Sequence, residues 1–256
     1  MAPKHPSQGL RLTAFATALF LFAVPAIAGE VLPIPNGGIE TASPSQIATA
    51  LEILAVLTVL ALAPSIVILT TGFTRVVVVL SFLRRALATQ QLPPNVVIIG
   101  LSLFLTAAIM APTYTEVWRD GLNPYLNQQL DQKTALQRSM VPVRRFMFQH
   151  TREKDLRLFI SLDKQLRDKK DITRKDIPTL TLIPAFVLSE VRLAFWMGFL
   201  LYLPFLVIDM VVASVLMSMG MLMLPPMMVS IPFKLLLFVL VDGWYLVVGE
   251  LLRWFS

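Results

Sequence analysis

The sequence predicts an all-α, multi-helix integral membrane protein with kinked and broken apolar helices. Of its 256 residues, 56% are hydrophobic and 15% are charged, whereas charged residues make up about 25% of an ordinary soluble domain. The mean hydropathy is +0.71, and several apolar runs approach the ~20 residues that a helix needs to cross a bilayer. The chain has no cysteine, so disulfides and cysteine-ligated metals are excluded.

The first 28 residues have the layout of a secretory signal peptide. A polar start with Lys4 and Arg11 precedes an apolar run, which ends in the small-residue pattern of a cleavage site. We expect cleavage between Ala28 and Gly29, because the apolar run is short for a membrane span. An uncleaved membrane anchor is the alternative.

Composition divides the remaining chain into four parts. Proline, glycine and serine mark a linker, and two stretches rich in apolar residues flank one rich in charged residues. The predicted parts are a linker at 29–50, a first apolar helical region at 51–112, a polar helical periplasmic region at 113–179, and C-terminal apolar helical hairpins with a methionine-rich pore loop at 180–256.

Prolines are the main predicted helix breakers, because the ring removes a backbone donor and clashes with the preceding turn. The apolar run from 180 to 215 is longer than a typical helix, so its prolines are expected to divide or kink it. The predicted kinks, ends or divisions lie at Pro64, Pro112, Pro142, Pro178, Pro184, Pro204 and Pro232.

If the first 28 residues are a signal peptide, residues 29–50 lie outside the cytoplasm. The first apolar segment then leads inward, and Arg75, Arg84 and Arg85 face the cytoplasm, as the positive-inside tendency favours. The region 113–179 comes to the periplasmic side although it holds 14 of the 22 basic residues. Loops beyond ~60 residues translocate largely regardless of charge. Acidic residues interleave with the basic ones, which favours a solvated helical face over a nucleic-acid interface.

The residues present argue against an enzyme. His5 and His150 are the two histidines of the chain, and His5 would leave with the signal peptide. No histidine-based triad, histidine-rich metal site, phosphate-binding glycine loop or dinucleotide fingerprint can be assembled. We therefore predict no catalytic residues, no metal and no cofactor.

Several charges are embedded among apolar residues of the C-terminal region. A charge at membrane depth costs at least ~2.5 kcal/mol, so such groups pair, line water or mark a pathway. Glu190 and Asp209 are expected to meet cations of neighbouring helices or subunits, with Arg192 and Lys234 as the candidates. For Glu250 and Arg253 the favoured alternative is a place at a helix end, with the charge reaching water. The predicted buried or assembly charges are Glu190, Arg192, Asp209, Lys234 and Asp242.

The most distinctive stretch is a methionine cluster. Six of the chain's 12 methionines lie between 217 and 228, around Gly220 and the pair Pro225-Pro226. The prolines predict a loop from Gly220 to Met228, and flexible thioethers can seal a gap around whatever passes. Core filling is the alternative. The predicted pore residues are Met217, Met219, Met221, Leu222, Met223, Met227 and Met228, with 221–223 at the narrowest point.

Several long motifs resemble one family. They are GFTRVVVVLSFLRR from Gly72, FMFQHTREKDL from Phe146, IPAFVLSEVRLAFWMGF from Ile183, and the methionine-rich stretch with its two prolines. The chain is similar in these motifs to the FliP family of flagellar type III export-gate proteins. Two departures are Ala88, where the family usually has glycine, and Leu222, which interrupts a usual methionine triplet.

The resemblance implies a subunit of a helical ring of five copies, with FliQ and FliR, beside FlhB and FlhA in the bacterial inner membrane at the flagellar base. Unfolded flagellar proteins would pass through its centre, driven by the proton motive force and a separate ATPase. Two alternatives stay open. One is the homologous injectisome export gate, and the other is a solute or ion transporter, to which broken helices and buried charges also point.

Overall fold

A computed structural model describes residues 44–89, 92–167, 169, 172–221 and 223–255. All regular elements in these ranges are helical, which confirms the all-α prediction for the described part of the chain. The predicted signal peptide, its cleavage site at Ala28 and Gly29, and residues 29–43 lie outside the described residues. The helices are α1 (Pro44–Leu69), α2 (Phe73–Ala86), α3 (Asn95–Val117), a π-helical turn (Trp118–Leu122), α4 (Asn123–Leu126), α5 (Gln132–His150), α6 (Glu153–Leu162), α7 (Lys164–Arg167), α8 (Thr179–Ser218), α9 (Pro226–Leu240) and α10 (Gly243–Arg253).

The chain forms two compact units, residues 1–62 and 63–256. In the described part of the first unit, α1 exposes its apolar side chains; Val59, for example, is 66% exposed. The predicted linker ended at residue 50, but α1 already begins at Pro44. Proline at the start of a helix is favourable, because its missing N–H would be unpaired there anyway.

Helix α8 is the central element of the second unit. Its 40 residues extend about 60 Å at 1.5 Å per residue, roughly twice the ~30 Å hydrocarbon core of a bilayer. Helix α2 packs along it with a buried stripe of Val76, Val79 and Leu83. The Phe82 side chain of α2 lies against Gly198 of α8, where an added Cβ atom would be 2.5 Å from the Phe82 ring.

Two apolar cores lie along α8. The first joins α8 to α2, α3, α9 and α10, with Phe205 and Phe238 among its members. The second joins α8 to α3, α5 and the segment before α8, with Phe146 and Phe186 among its members. Because Phe146 belongs to the predicted polar region 113–179, that region is anchored to the apolar one and has no core of its own among the described residues.

The predicted helix end at Pro112 and the predicted division at Pro142 were wrong, because α3 and α5 continue through these residues. Helix α8 is likewise continuous through Pro184 and Pro204, and α9 through Pro232, so these prolines do not divide the helices, while the kinks stay a prediction. The predicted boundary at 112/113 therefore falls inside a helix. An interior proline removes one backbone hydrogen bond, and in these long apolar helices the other backbone bonds and the packing maintain the helix.

Three helical stretches in the described part of the chain are long and apolar enough to cross a membrane, namely Ile47–Leu69, Asn95–Leu126 and Thr179–Ser218. Helices α9 and α10 meet at an angle of 64° and would make a fourth, broken span if taken together. These stretches support the prediction of an all-α membrane protein.

Candidate functional site: a methionine loop and buried ion pairs

The methionine loop begins where α8 is ended by a glycine. Gly220 has a φ of +74°, in the left-handed region that glycine adopts without a steric penalty. Its N–H donates to the Met217 carbonyl and the Met221 N–H donates to the Leu216 carbonyl, both at 3.0 Å. These two bonds form a Schellman motif, which satisfies carbonyls that the helix end would otherwise leave unpaired.

The proline pair begins the next helix. Pro226 is the first residue of α9, a position where proline is preferred because no intrahelical donor is lost. The predicted loop from Gly220 to Met228 is therefore too long, since Met227 and Met228 lie in the first turn of α9. The described part of the connection between the helices is 219–221 and 223–225.

The methionines of this stretch do not fill the core of this chain. Met223 is 98% exposed and Met221, the least exposed of the six, is 40% exposed. Leu222 lies outside the described residues. The structure therefore argues against core filling within the chain, while the pore role stays a prediction. The six exposed side chains are Met217, Met219, Met221, Met223, Met227 and Met228.

A polar cluster joins the two helices on either side of the loop. Lys234 Nζ donates to Asp209 Oδ2 at 2.6 Å, and Ser230 Oγ donates to Asp209 Oδ1 at 2.6 Å. Lys234 is 1% exposed, and Asp209 keeps a partly exposed side chain. Asp209 on α8 thus has the predicted cation, Lys234, from a neighbouring helix of the same chain.

Glu190 has a different partner from the predicted one. Its carboxylate is completely buried and forms a two-point ion pair with Arg75 of α2. Arg75 Nε donates to Glu190 Oε2 at 2.9 Å, and Nη2 donates to Oε1. Such paired parallel bonds are among the strongest that arginine makes. Arg75 was expected to face the cytoplasm with Arg84 and Arg85, but it is 1% exposed because α2 turns this face toward α8.

Arg192 and Asp242 are exposed within this single chain, and their role as buried or assembly charges stays a prediction. Arg192 points along α8 toward α6, where its Nη2 lies 3.6 Å from Asp155 Oδ1. Asp155 is buried and also accepts a hydrogen bond of 2.9 Å from Ser189 Oγ. Asp242 lies in the turn before α10, with a φ of +50°.

Sequence reasoning missed Arg75, Asp155 and Ser230 as members of buried polar clusters. A helical signal for Arg75 was present, because it lies four residues before Val79 and so on the same face as the buried stripe of α2. No comparable signal marked Asp155 or Ser230. In the described part of the chain, no group of three or more histidine, aspartate or glutamate residues is placed to hold a metal ion.

Comparison with known proteins identifies the family. The profile of the FliP family matches residues 56–251. The chain belongs to the FliP family. The Flagellar biosynthetic protein FliP of Bacillus subtilis is 53% identical over 216 residues, which are 84% of this chain and 96% of that protein. The protein of the same name from Caulobacter vibrioides is 51% identical over 205 residues, or 80% of this chain and 76% of that one.

A third relative is similar over almost the whole chain. The Flagellar biosynthetic protein FliP of Pectobacterium carotovorum is 42% identical over 253 residues, covering 96% of this chain and 94% of that protein. The family match includes both the methionine loop and the ion pairs of α2, α8 and α9. The resemblance stated from the motifs is thereby confirmed.

Proposed function

We propose that this FliP-family chain is a pore-forming core subunit of the flagellar type III protein export apparatus in the bacterial inner membrane. It passes unfolded flagellar proteins across that membrane and performs no chemical reaction itself. Family membership carries the assignment to flagellar export. The pore role depends on one observation, the uncovered methionine loop between two apolar helices.

The methionine side chains have the properties that such a pore needs. Each has three rotatable bonds and a polarisable sulfur, so it can fit against extended chains of different sequence. Symmetric repetition would bring several copies of Met221, Leu222 and Met223 around one axis. An apolar constriction of this kind sheds water and so stops ions when no substrate is present.

The surface of the chain supports an assembled state. Along α8, Phe199 and Val211 are more than half exposed, as is Val59 on α1. Apolar area of this extent marks contact with lipid or with other subunits, and the ~60 Å length of α8 exceeds a single bilayer crossing. The proposed partners, which follow from the resemblance, are four further copies of this chain, FliQ, FliR, FlhB, FlhA and the exported flagellar proteins.

Two other functions are weaker candidates. An injectisome export-gate subunit would share this fold, but the relatives compared above are all named as flagellar proteins. A solute or ion transporter would use buried charges as binding groups. Here the Glu190 and Lys234 charges are already paired within the chain, which disfavours that use.

The pore role can be tested by cross-linking to a substrate held in transit. Because the chain has no cysteine, Met223→Cys introduces a single thiol at the loop. The substrate is an exported flagellar subunit that carries cysteines and is fused to a domain too stable to unfold. We expect Met223→Cys to form a disulfide with the stalled chain. The matched control is Leu158→Cys on α6, which is also exposed.

The control decides what a cross-link means. Cross-linking at residue 223 with none at residue 158 supports the pore role. Equal cross-linking at both positions, or none at 223 while the substrate is stalled and the complex is assembled, contradicts it.

A further inference from the structure

The last described residue, Phe255, packs against both apolar cores of the chain. It follows α10, whose last residue is Arg253, and its N–H donates to the Leu252 carbonyl at 3.1 Å. Its ring thus extends beyond the end of α10 to reach α2 and α5. A residue in this position can hold α10 to elements far from it in sequence.

The site that receives the Phe255 ring has two contributions from the start of α2. At Gly72, an added Cβ would lie 2.7 Å from Phe255 Cζ, so a larger residue would displace the ring from this position. The Arg75 guanidinium lies over the ring, 3.8 Å from its centroid, a distance at which a cation is attracted to an aromatic face. Arg75 Nη1 also donates to the Trp254 carbonyl at 3.3 Å.

Helix α5 contributes the residues on the other side of the Phe255 ring. The Phe146 ring stacks on Phe255 with centroids 6.2 Å apart, and the His150 ring lies 5.3 Å from it. His150 Nδ1 donates to the Phe146 carbonyl at 2.9 Å. His150 is half-buried, and this burial lowers its pKa below the usual value, with the nearby Arg75 charge acting in the same direction.

The Arg75 charge favours the neutral form of His150. Arg75 faces it from α2, and Glu190 of α8 is engaged by Arg75 in the two-point pair. On α5, Arg144 is bonded to Thr179 and to the Ile177 carbonyl, and Arg145 is bonded to Glu116. On α6, Glu153 is paired with Arg157, and Asp155 with Ser189 and Arg192.

We propose that Phe255 and its surrounding residues form a C-terminal latch, which fixes α10 to α2 and α5 and which loosens when His150 is protonated. Phe255 is the latch residue. Gly72 and Arg75 form its binding site at the start of α2, and His150 of α5 is the titratable residue that contacts its ring. Protonation would place a second cation beside Arg75 at the same aromatic ring and charge a half-buried imidazole. Both effects disfavour the closed latch as the pH falls below the usual histidine value of ~6.5.

The latch is tested by the mobility of a label placed directly after it. The variant Ser256→Cys provides the single thiol, because the chain has no cysteine, and it is nitroxide-labelled in the purified full-length protein with its co-purifying subunits. Spectra are recorded at about pH 8 and about pH 5.5, on either side of the usual histidine pKa of ~6.5. We expect an immobilised label at the higher pH and a several-fold larger mobile fraction at the lower pH.

Two further variants, made in the same labelled background, separate the contribution of Gly72 from that of His150. Gly72→Ala excludes the Phe255 ring without changing any titratable group, so the label should be mobile at both pH values. His150→Gln keeps a hydrogen-bonding side chain of similar size that does not titrate, so the label should stay immobilised at both.

Each result decides one part of the proposal. An immobilised label in Gly72→Ala would show that Phe255 does not hold the C-terminal segment. Equal mobility of the label at both pH values in the Ser256→Cys protein would show that His150 does not control the latch. So would an increase in label mobility at low pH that persists in His150→Gln.

Discussion

The two halves of α8 differ in what covers them. Eight of the ten buried residues of α8 lie between Leu182 and Gly198, where α2, α5 and α6 of the same chain pack against the helix. The half from Phe199 to Ser218 is mostly exposed, and in the described residues its buried members are Phe205 and Leu216. One continuous helix thus has a first half covered by its own chain and a second half that its chain covers only in part, through α9.

The polar groups follow the same division. In the first half, Glu190 is completely buried and paired with Arg75. In the second half, Asp209 is partly exposed although its partner Lys234 is buried, and the helix ends in exposed methionines. The first half is therefore expected to determine folding of the chain. The second half is expected to determine assembly and transport.

The largest expected effect is in the first half. Glu190→Ala leaves the buried Arg75 guanidinium without its counter-charge, which costs about 3–5 kcal/mol for a buried pair. Because a domain is stable by only about 5–15 kcal/mol, this loss is a large share of its stability, so fewer molecules should reach the protease-resistant membrane form. The amount of resistant protein in membranes, normalised to synthesis, measures this.

The control for Glu190→Ala is an ion pair in solvent. Arg157 and Glu153 are paired on the exposed face of α6, and such pairs contribute about 0–1 kcal/mol. Arg157→Ala should leave the amount of resistant protein unchanged. Similar losses in both variants would show that the Arg75–Glu190 pair is not what holds the first half of α8 in place.

A smaller effect is expected where the second half of α8 pairs with α9. Asp209→Ala leaves the buried Lys234 ammonium unpaired, but Asp209 is partly exposed, so water can reach this site and the loss should be smaller than at Glu190. Adding Lys234→Met removes the unpaired charge with a side chain of similar length. Replacing both members of a buried pair by apolar groups is often neutral, so the double variant should recover normal levels of assembled complex on native gels.

Recovery in the double variant would show that the pair is needed for charge balance. If the double variant assembles as poorly as Asp209→Ala, the pair has a specific role in assembly. The explanation by charge balance would then be wrong.

The smallest predicted effect concerns the end of α2. Ala88 has a φ of +56°, which costs an L-residue about 1–2 kcal/mol, and its N–H donates to the Arg85 carbonyl at 3.0 Å as part of the helix cap. Ala88→Gly should stabilise the chain by about 1 kcal/mol and raise the melting temperature in detergent.

The same substitution in a helix interior provides the control. Ala107 is exposed within α3, where Ala→Gly costs about 0.5–1 kcal/mol, so Ala107→Gly should lower the melting temperature. A decrease in both variants would contradict the strain assigned to Ala88.

The sequence predicted most of the fold at the level of helices. Apolar runs identified α1, α3, α8 and α9, because long runs of apolar residues with few charges form helices. It failed at helix ends, where proline was taken as a stop. The signal that ends α8 is Gly220, and Pro226 begins α9, so the two residue types act at opposite ends.

The candidate site was predicted in part. The methionine loop follows from composition, and the Asp209–Lys234 pair joins helices that are adjacent in sequence. The partner of Glu190 lies 115 positions away, and pairing at such a separation depends on how α2 packs on α8, which local pattern does not encode. Arg75 was misplaced for a related reason. An arginine near a helix start satisfies the positive-inside tendency whether it is buried or exposed.

The proposed channel is sealed by the uncovered methionine loop. The most direct test of this role is the ion conductance of membranes containing the complex when Met221, Leu222 and Met223 are all replaced by alanine, compared with replacement by isoleucine. Alanine removes the apolar bulk that fills the constriction, so the complex should assemble and leak ions. Isoleucine restores bulk but is stiff at χ1, so the complex should stay sealed and export slowly. An alanine variant that assembles, exports at the normal rate and shows no added conductance would contradict this role.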